Sequence, residues 1–567
     1  VIDIRGWVPG VRTVTTYRAA WLPRDLVAGV VLTTLLVPQG MAYAELAGLP
    51  AITGLYTSIL CLLAYAVFGP SRILVLGPDS SLGPMIATVI VAGLGAGAGP
   101  GETIALAATL SLLVGVLLVL AGVAKLGFLA DLLSHPTQLG YLNGLALTIL
   151  IGQLPKLFGF PVDADGLIAE AKGFAEGVAA GRTVPAALVI GVFGLAVILA
   201  LRTWLPRVPG VLIAVVLSIA AVAAFGLQER GVDLVGALPQ GFPPFEVPHF
   251  SLGQLSVLAG GALGITLVSL TDTISTASAF AARTGQEVRG NQEMVGIGAA
   301  NIAASFFQGF PVSTSGSRTA VAEQSGARTQ VTGVVGAVAI SLMLLFAPGL
   351  LRDLPQPTLA AVVIAAAVSL ADLPGLVRLW KRRRMEFGLG IAAFLGVAIL
   401  GVLPGIAVAV GLSVLNVFRR VWWPYQAVLG RADGVSGYHD VSVHPAARRL
   451  PGLLIFRFDA PLIFANVRTF RDRIRGFMAA DPALKWIIVA AEPITDVDTT
   501  AADTLEELDE ELNARGISLV FAEMKSPVQQ KIDRYQLTRT IDPAHFFPTV
   551  EEAVAAYRRE TGAKWVF

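Results

Sequence analysis

Cysteine is nearly absent from this chain. Cys61 is the only one in 567 residues, which excludes a disulfide framework or a cysteine metal site. It sits in an apolar run and reads as a small buried hydrophobe. Charge is scarce too, at 14% against roughly 25% in soluble domains. Neither sign prevails: 41 basic and 40 acidic residues leave a net charge of +1, so nucleic acid is not an expected partner. The opening Val1-Ile-Asp-Ile-Arg-Gly-Trp7 is polar, so no cleavable signal peptide is expected. Without an initiator Met the chain reads as trimmed there. The C-terminal part shows no catalytic triad, phosphate-binding loop or metal cluster. The expectation is a protein that is not an enzyme and has no cofactor or resident metal.

What the chain has is apolar length. Hydrophobic residues make up 54%. Residues 1–430 hold about 44 of the charged residues and residues 431–567 about 37, which separates a membrane body from a soluble tail. The expected domains are an N-terminal arm (1–24), a transmembrane domain (25–425) and a tail (426–567). Fourteen apolar segments fall near 25–44, 51–68, 80–96, 103–124, 136–152, 183–203, 209–225, 257–280, 291–308, 315–325, 328–348, 356–371, 386–403 and 404–421. Most approach the ~20 residues that a bilayer requires.

The third and tenth segments do not look like full spans. Each opens on Gly, Pro and hydroxyl residues, after Val75-Leu-Gly-Pro-Asp79 and after Gly309-Phe-Pro-Val312. Each follows a short β-prone run. Interrupted segments at matching places in two halves point to an inverted-repeat transporter and its binding site. The same offset of seven links the first segment (Leu36-Val-Pro-Gln-Gly-Met41) to the eighth (Leu270-Thr-Asp-Thr-Ile-Ser-Thr276). Basic residues set the orientation. Arg5, Arg12, Arg18, Arg24, Arg202, Arg207, Arg283, Arg289 and Lys381-Arg-Arg-Arg384 fall on one side, with few opposite. Both termini are therefore expected in the cytoplasm, with the chain in the cell's inner (plasma) membrane. Lys381–Arg384 reads as a topology signal that also meets lipid phosphate.

Arg318 is the most informative residue. An arginine at mid-membrane costs ~2.5–3.5 kcal/mol even on the lenient insertion scale. It persists where it faces protein, water or an anion. Helix N-termini near Ser313–Gly316 and near Ser80, Ser81 and Gly83 present free N–H groups and partial positive charge. Two such ends facing each other make an anion site without a metal. Ser315, Ser317 and Thr319 add neutral donors, and Gly316 admits close backbone approach. The competing readings for Arg318 are a structural pair with Glu323 or Asp272, or snorkelling. For the hydroxyls the competing reading is helix back-bonding.

Asp272 lies mid-span with Thr276 one turn on along the same face. Intramembrane acids mark ion or proton pathways. Ionised, Asp272 would hold Na⁺ with Thr276; protonated, it would carry H⁺. A structural partner for a basic residue is the alternative. Glu45 reads as a gate or as an interfacial acid. Gln39 and Tyr43 lie one turn apart and can share a cavity, and Pro38 just before them is expected to break the helix and free backbone for a site.

Two stretches resemble a known family. Pro50-Ala-Ile-Thr-Gly-Leu-Tyr-Thr-Ser58, Tyr65-Ala-Val-Phe-Gly-Pro-Ser-Arg72 and Gly77-Pro78 are similar to the signature of the SulP (sulfate permease) anion transporters. Asn301 through Gln330, with Phe310-Pro311, Ser317-Arg-Thr319 and Gly326-Ala-Arg-Thr329, resembles that family's second signature. The resemblance implies a seven-plus-seven inverted repeat, with a core (spans 1–4 and 8–11) moving against a gate (5–7 and 12–14). It implies a substrate between spans 3 and 10, lined by Gln39 and Tyr43 of span 1, with Ser317 and Arg318 as anion contacts. It makes Asp272 a coupling acid. Its Asp-x-x-x-Thr spacing to Thr276 resembles sodium-coupled bicarbonate members, whereas members with Glu there are taken to move protons. Thr314 and Gly316 give this chain a richer hydroxyl run than the family pattern. A homodimer is implied as well.

The tail alternates short strands (453–458, 486–490, 517–522) with helices (466–480, 501–515, 527–535), which argues for an α/β sheet packed by helices. It resembles the STAS domain, shared with anti-sigma-factor antagonists, which implies a cytoplasmic partner. In Ile494-Thr-Asp-Val-Asp-Thr-Thr500, Thr499 and Thr500 stand where those antagonists are phosphorylated. A helix cap is the plainer reading. The combined expectation is a secondary active anion transporter, for sulfate, bicarbonate or a dicarboxylate, working by alternating access with H⁺ or Na⁺ symport. The rivals are a nucleobase-type transporter of the same fold and a membrane-anchored STAS signalling scaffold.

Overall fold

The computed structural model describes residues 8–565 apart from 96, 129–132, 163, 165, 206–207, 250–251, 285–286 and 433. Arg5, Arg207 and the side chain of Arg283, used above for orientation, lie outside the described residues. The chain divides into two compact units, Val1–Ser413 and Val414–Phe567.

Helices stand at all fourteen expected segments, thirteen within the first unit and the last starting in it and running past Ser413. They are α1 (Leu22–Leu46), α2 (Ala51–Phe68), α3 (Gly83–Leu94), α4 (Pro100–Val123), α5 (His135–Phe158), α6 (Pro185–Trp204) and α7 (Gly210–Phe225), then α8 (Leu255–Thr284), α9 (Gly290–Ser305), α10 (Gly316–Gln324), α11 (Val331–Phe346), α12 (Gln356–Leu370), α13 (Arg384–Leu400) and α14 (Val402–Trp422). The two interrupted members are short, 12 residues in α3 and 9 in α10. Two strands precede them, β1 (Leu76–Gly77) and β2 (Ser313–Thr314). Pro38 does not break α1, which runs through it. Membrane helices tolerate proline where neighbouring groups satisfy the freed backbone.

Packing separates two groups of spans. α4 lies along α9 and α1 along α2 and α11, while α5 packs on α12 and α13 and α6 on α7 and α12. The groups meet where α1 touches α7 and α12. Glycines set the closest crossings, as expected where lipid offers no hydrophobic drive between helices. A Cβ added at Gly54 of α2 would fall 1.9 Å from the Gly40 carbonyl oxygen of α1, and one at Gly140 of α5 the same distance from that of Gly390 in α13.

Four further helices were not expected: Pro9–Thr16 in the arm, Val550–Thr561 in the tail, Leu167–Ala179, and Leu373–Arg382. The last ends in Lys381 and Arg382 and exposes Leu373, Val377 and Trp380. That pattern suits a helix lying in the membrane interface.

In the second unit, six strands run in the order β4-β3-β5-β6-β7-β8, with β3 Gln426–Gly430, β4 His439–Asp440, β5 Leu453–Phe458, β6 Trp486–Ala490, β7 Ser518–Ala522 and β8 Phe546–Phe547. β5 through β8 are parallel, while β3 is antiparallel to both its neighbours. Helices α15 (Val467–Ala480), α16 (Thr499–Asn513) and α17 (Ser526–Arg534) share a core with Phe456, Phe458, Ile487 and Val489. The alternate residues Ile455, Trp486 and Ile488 face the other way, under α18 (Val550–Thr561). A period of two along each strand thus builds two cores.

Candidate substrate and coupling site

The site begins with backbone that leaves helical form in the middle of the first unit. Such backbone is tolerated at membrane depth only where protein or a watered cavity satisfies it. Here β1 and β2 satisfy each other as an antiparallel pair, Leu76 opposite Thr314 and Gly77 opposite Ser313. Ser315 N donates to Val75 O (3.1 Å), and Val75 N donates to Thr319 Oγ1 (3.1 Å). Neighbouring helices complete the account. Val312 N donates to Asn301 Oδ1 (3.0 Å), Ser269 Oγ to Val312 O (3.0 Å), and Phe310 N to Thr57 Oγ1 (3.2 Å). The short pairing holds the starts of α3 and α10 side by side, and Ser315 caps α10. Both helix N-termini therefore border one space.

That space is a cavity of about 1150 Å³. Gln39, Tyr43, Ser80, Asp272, Thr276, Ser315, Gly316 and Ser317 line it, and so does Asp79. Arg202, Val362 and Ser369 line the side formed by α6 and α12. The cavity runs from Tyr43 in α1 back past Val31, and to the final turns of α6 and α12. It therefore opens at the end where α1 begins. At the other end Gln356 Nε2, starting α12, donates to Glu45 Oε1 at 2.8 Å. Glu45 thus lies outside the cavity wall and joins α1 to α12 across the contact between the two groups of spans.

Arg318 is placed differently from the sequence expectation. Its side chain is fully buried and does not line the cavity. The guanidinium lies against Gly77, where an added Cβ would sit 3.1 Å from Nη1. Its ion partner is Asp79, with Nη2 3.9 Å from Oδ2, and neither Glu323 nor Asp272. Nε, Nη1 and Nη2 find no hydrogen-bond acceptor among the described residues. The charge reaches the cavity past Asp79, which lines it, as a field and not as a contact.

Ser81 is also buried behind the wall, and it ties the acids together. Its Oγ is 2.9 Å from Asp79 Oδ1 and 3.0 Å from Asp272 Oδ2, and its N–H donates to Asp79 Oδ1 at 3.0 Å. Asp79 was missed as a site residue because Gly-Pro-Asp reads as a turn. The signal that could have found it is the cost of any acid at membrane depth. Arg202 was missed as well. It donates to Ser369 Oγ of α12 and places a second cation at the mouth.

In the tail, Thr499 and Thr500 are exposed in the first turn of α16. The cap is Asp498, whose Oδ1 accepts from Ala501 N at 2.8 Å. Neither threonine fills that role.

Fold and site define a class of protein, a membrane carrier whose two broken helices aim their amino ends into a cavity open to one face. The family model described as the sulfate permease family matches residues 22–393, and that of the STAS domain matches residues 444–553. The chain belongs to the sulfate permease family; it is a transporter and not an enzyme. It is 42% identical to a probable sulfate transporter of Mycobacterium tuberculosis, over 98% of each chain. Its fold matches the murine Solute Carrier 26 family member A9 anion transporter in the inward-facing state, with a TM-score of 0.89, 23% identity, and coverage of 98% of this chain and 94% of that one. It also matches the transmembrane domain of the cyanobacterial bicarbonate transporter BicA, with a TM-score of 0.60, 23% identity, and coverage of 70% and 98%.

Proposed function

We propose that this chain moves sulfate-type oxyanions across the cell's inner (plasma) membrane by alternating access, with both termini cytoplasmic, driven by a co-transported cation. One observation carries the reading. The amino ends of α3 and α10 share a cavity wall with Ser80, Ser315, Gly316 and Ser317, and Arg318 lies behind it. Free N–H groups and hydroxyls replace the anion's water, and the buried guanidinium offsets its charge.

The second acid supports coupling. Arg318 neutralises Asp79, but Asp272 has no basic partner among the described residues. Two like charges ~4 Å apart repel by ~4 kcal/mol at an effective dielectric of 20. An anion therefore enters beside Asp272 more favourably when a cation accompanies it. Ser81 carries a single hydroxyl hydrogen between two carboxylate oxygens, so a proton on one of them completes both hydrogen bonds. That favours H⁺. Na⁺ held by Asp272 and Thr276 is the other option, and Thr276 lines the cavity at the right face for it.

Two carboxylates on the cavity wall also suit the ring N–H groups of a nucleobase, so the test includes one. Labelled sulfate, bicarbonate, fumarate and uracil are offered to proteoliposomes under imposed H⁺ and Na⁺ gradients. Sulfate is expected to accumulate, and uracil is not. Asp272→Asn is expected to lose accumulation at least tenfold, roughly the 1.4 kcal/mol step or more, while retaining sulfate–sulfate exchange. Full concentrative uptake by that variant removes the coupling role. No anion movement under any gradient removes the whole reading.

A homodimer, contact with membrane lipid, and a cytoplasmic partner of the STAS domain belong to the same proposal. The exposed threonines Thr499 and Thr500 are the proposed modification points. A phosphate there would meet a helix N-terminus. Mass spectrometry of the protein from cells tests it, and an unmodified 494–500 peptide under every growth condition argues against it.

A further inference from the structure

We propose that a second cavity in the transporter domain binds a tetrahedral oxyanion, carried either on a lipid headgroup or free in solution. This cavity lies apart from the transport site, at the end where α1 begins, and has a volume of about 340 Å³. It is walled by the arm helix Pro9–Thr16, the loop between α2 and β1, the last turns of α8, and the residues leading into α9.

Three arginines from three separate elements converge on it: Arg12 from the arm helix, Arg72 from the loop, and Arg289 before α9. Neither Arg12 nor Arg72 takes part in an ion pair among the described residues. Guanidinium forks match the oxygens of phosphate and sulfate in shape as well as charge. Thr13 and the Trp21 indole add neutral donors to the lining.

Two acids share the cavity, and the three guanidinium groups outnumber them. Glu293, 1% exposed, has both oxygens engaged by neutral donors: Tyr65 OH donates to Oε2 at 2.6 Å, and Ser71 Oγ donates to Oε1. It braces the floor. Glu287 stands exposed at the rim, so two carboxylates face three guanidinium groups.

The position suits the interface between lipid and water. Val11 and Val14 of the arm helix are 49% and 79% exposed, and the first turns of α1 expose Leu22, Leu26 and Val30. An arm with valines outward and Arg12 in the cavity lies along the headgroup layer. The loop bearing Arg72 is pinned by Gln330 Nε2, which donates to Ser71 O (2.8 Å) and Leu74 O (2.9 Å). It runs directly into β1, so an occupant here bears on the segment that positions the transport site.

The experiment measures equilibrium binding of dioctanoyl phosphatidic acid, dioctanoyl phosphatidylcholine and inorganic phosphate to the purified full chain. It compares wild type with Arg12→Ala and with the triple substitution Arg12→Ala, Arg72→Ala, Arg289→Ala. Phosphatidic acid is expected to bind saturably, phosphatidylcholine weakly, and the triple variant is expected to lose roughly tenfold or more in affinity. Arg12 lies outside the spans, so Arg12→Ala keeps the fold, and about a fivefold loss is expected from removing one charged contact. Sulfate uptake into phosphatidylcholine vesicles should stay within twofold of wild type in both variants. Phosphatidic acid that inorganic phosphate cannot displace identifies a lipid headgroup, and equal binding with displacement identifies the free ion. Absence of saturable binding to wild type, or wild-type affinity in the triple variant, overturns the proposal.

Discussion

Arg318 and Asp79 form a buried pair whose members depend on each other. Removing one partner of such a pair costs about 3–5 kcal/mol, because the remaining charge is stranded. Arg318→Ala is therefore expected to lower thermal stability sharply, and adding Asp79→Asn should recover much of the loss. Transport should stay impaired in both, since the positive field behind the cavity wall is gone. Thermal unfolding followed by tryptophan fluorescence, with sulfate uptake alongside, checks both halves. A double variant no more stable than the single one would show that the two charges do not compensate each other. The arginine was legible in sequence because it is costly in lipid. Its direction was not. Helical side chains are directed by their exact register, and one step along α10 separates Ser317, which lines the cavity, from Arg318, which turns away from it.

At the scale of elements, close crossings and capped breaks carry the fold. Gly54→Val places a side chain into the Gly40 carbonyl and forces α1 away from α2, which carries Gln39 and Tyr43 out of position. An overpacking cost of about 1–3 kcal/mol or more is expected, seen as a lower unfolding temperature and a raised KM for sulfate. Unchanged values for both would show that α1 is free to shift. In the tail, Asp509 in α16 is 2% exposed and accepts from Asn513 Nδ2 at 2.9 Å. Burial pushes its carboxyl up to about 6. The folded tail therefore keeps a proton that the unfolded chain releases between about pH 4 and pH 6, so this group's effect on stability worsens as pH rises through that window. Asp509→Asn should raise tail stability at pH 7 and flatten its change between pH 4.5 and pH 7, as read by urea unfolding of residues 426–567. The interrupted spans were legible because Gly, Pro and hydroxyls interrupt an apolar run. Leu373–Arg382 was not, because ten amphipathic residues between two spans read as loop. The two-residue strands β4 and β8 offer too little alternation to register.

At the scale of the whole molecule, the cavity opens at one end and Glu45 with Gln356 joins α1 to α12 at the other. Alternating access requires that contact to part. Because Cys61 is fully buried, a cysteine introduced at Ser317 is the residue that reports on the cavity. Ser317→Cys is expected to react with a membrane-impermeant thiol reagent from the cytoplasmic face in this conformation, and sulfate should slow the reaction. Equal labelling from both faces without substrate would contradict the one-sided opening. Glu45→Ala should loosen the far end and increase labelling from outside. The even number of spans and the basic bias of one set of loops were legible from composition. The end at which the cavity opens was not, since it depends on which of two packings the spans adopt.

The strand pair that ties Leu76 to Thr314 also fixes what surrounds the cargo. Under the proposed function, the chain's two halves each supply one side of the ion's coordination shell, and the pairing of β1 with β2 would keep that shell together as a single piece. The intrinsic dissociation constant for sulfate should then be nearly the same whichever face is presented. Any concentration gradient it builds is set by the companion cation rather than by a change in grip, as paired measurements on right-side-out and inverted vesicles would register.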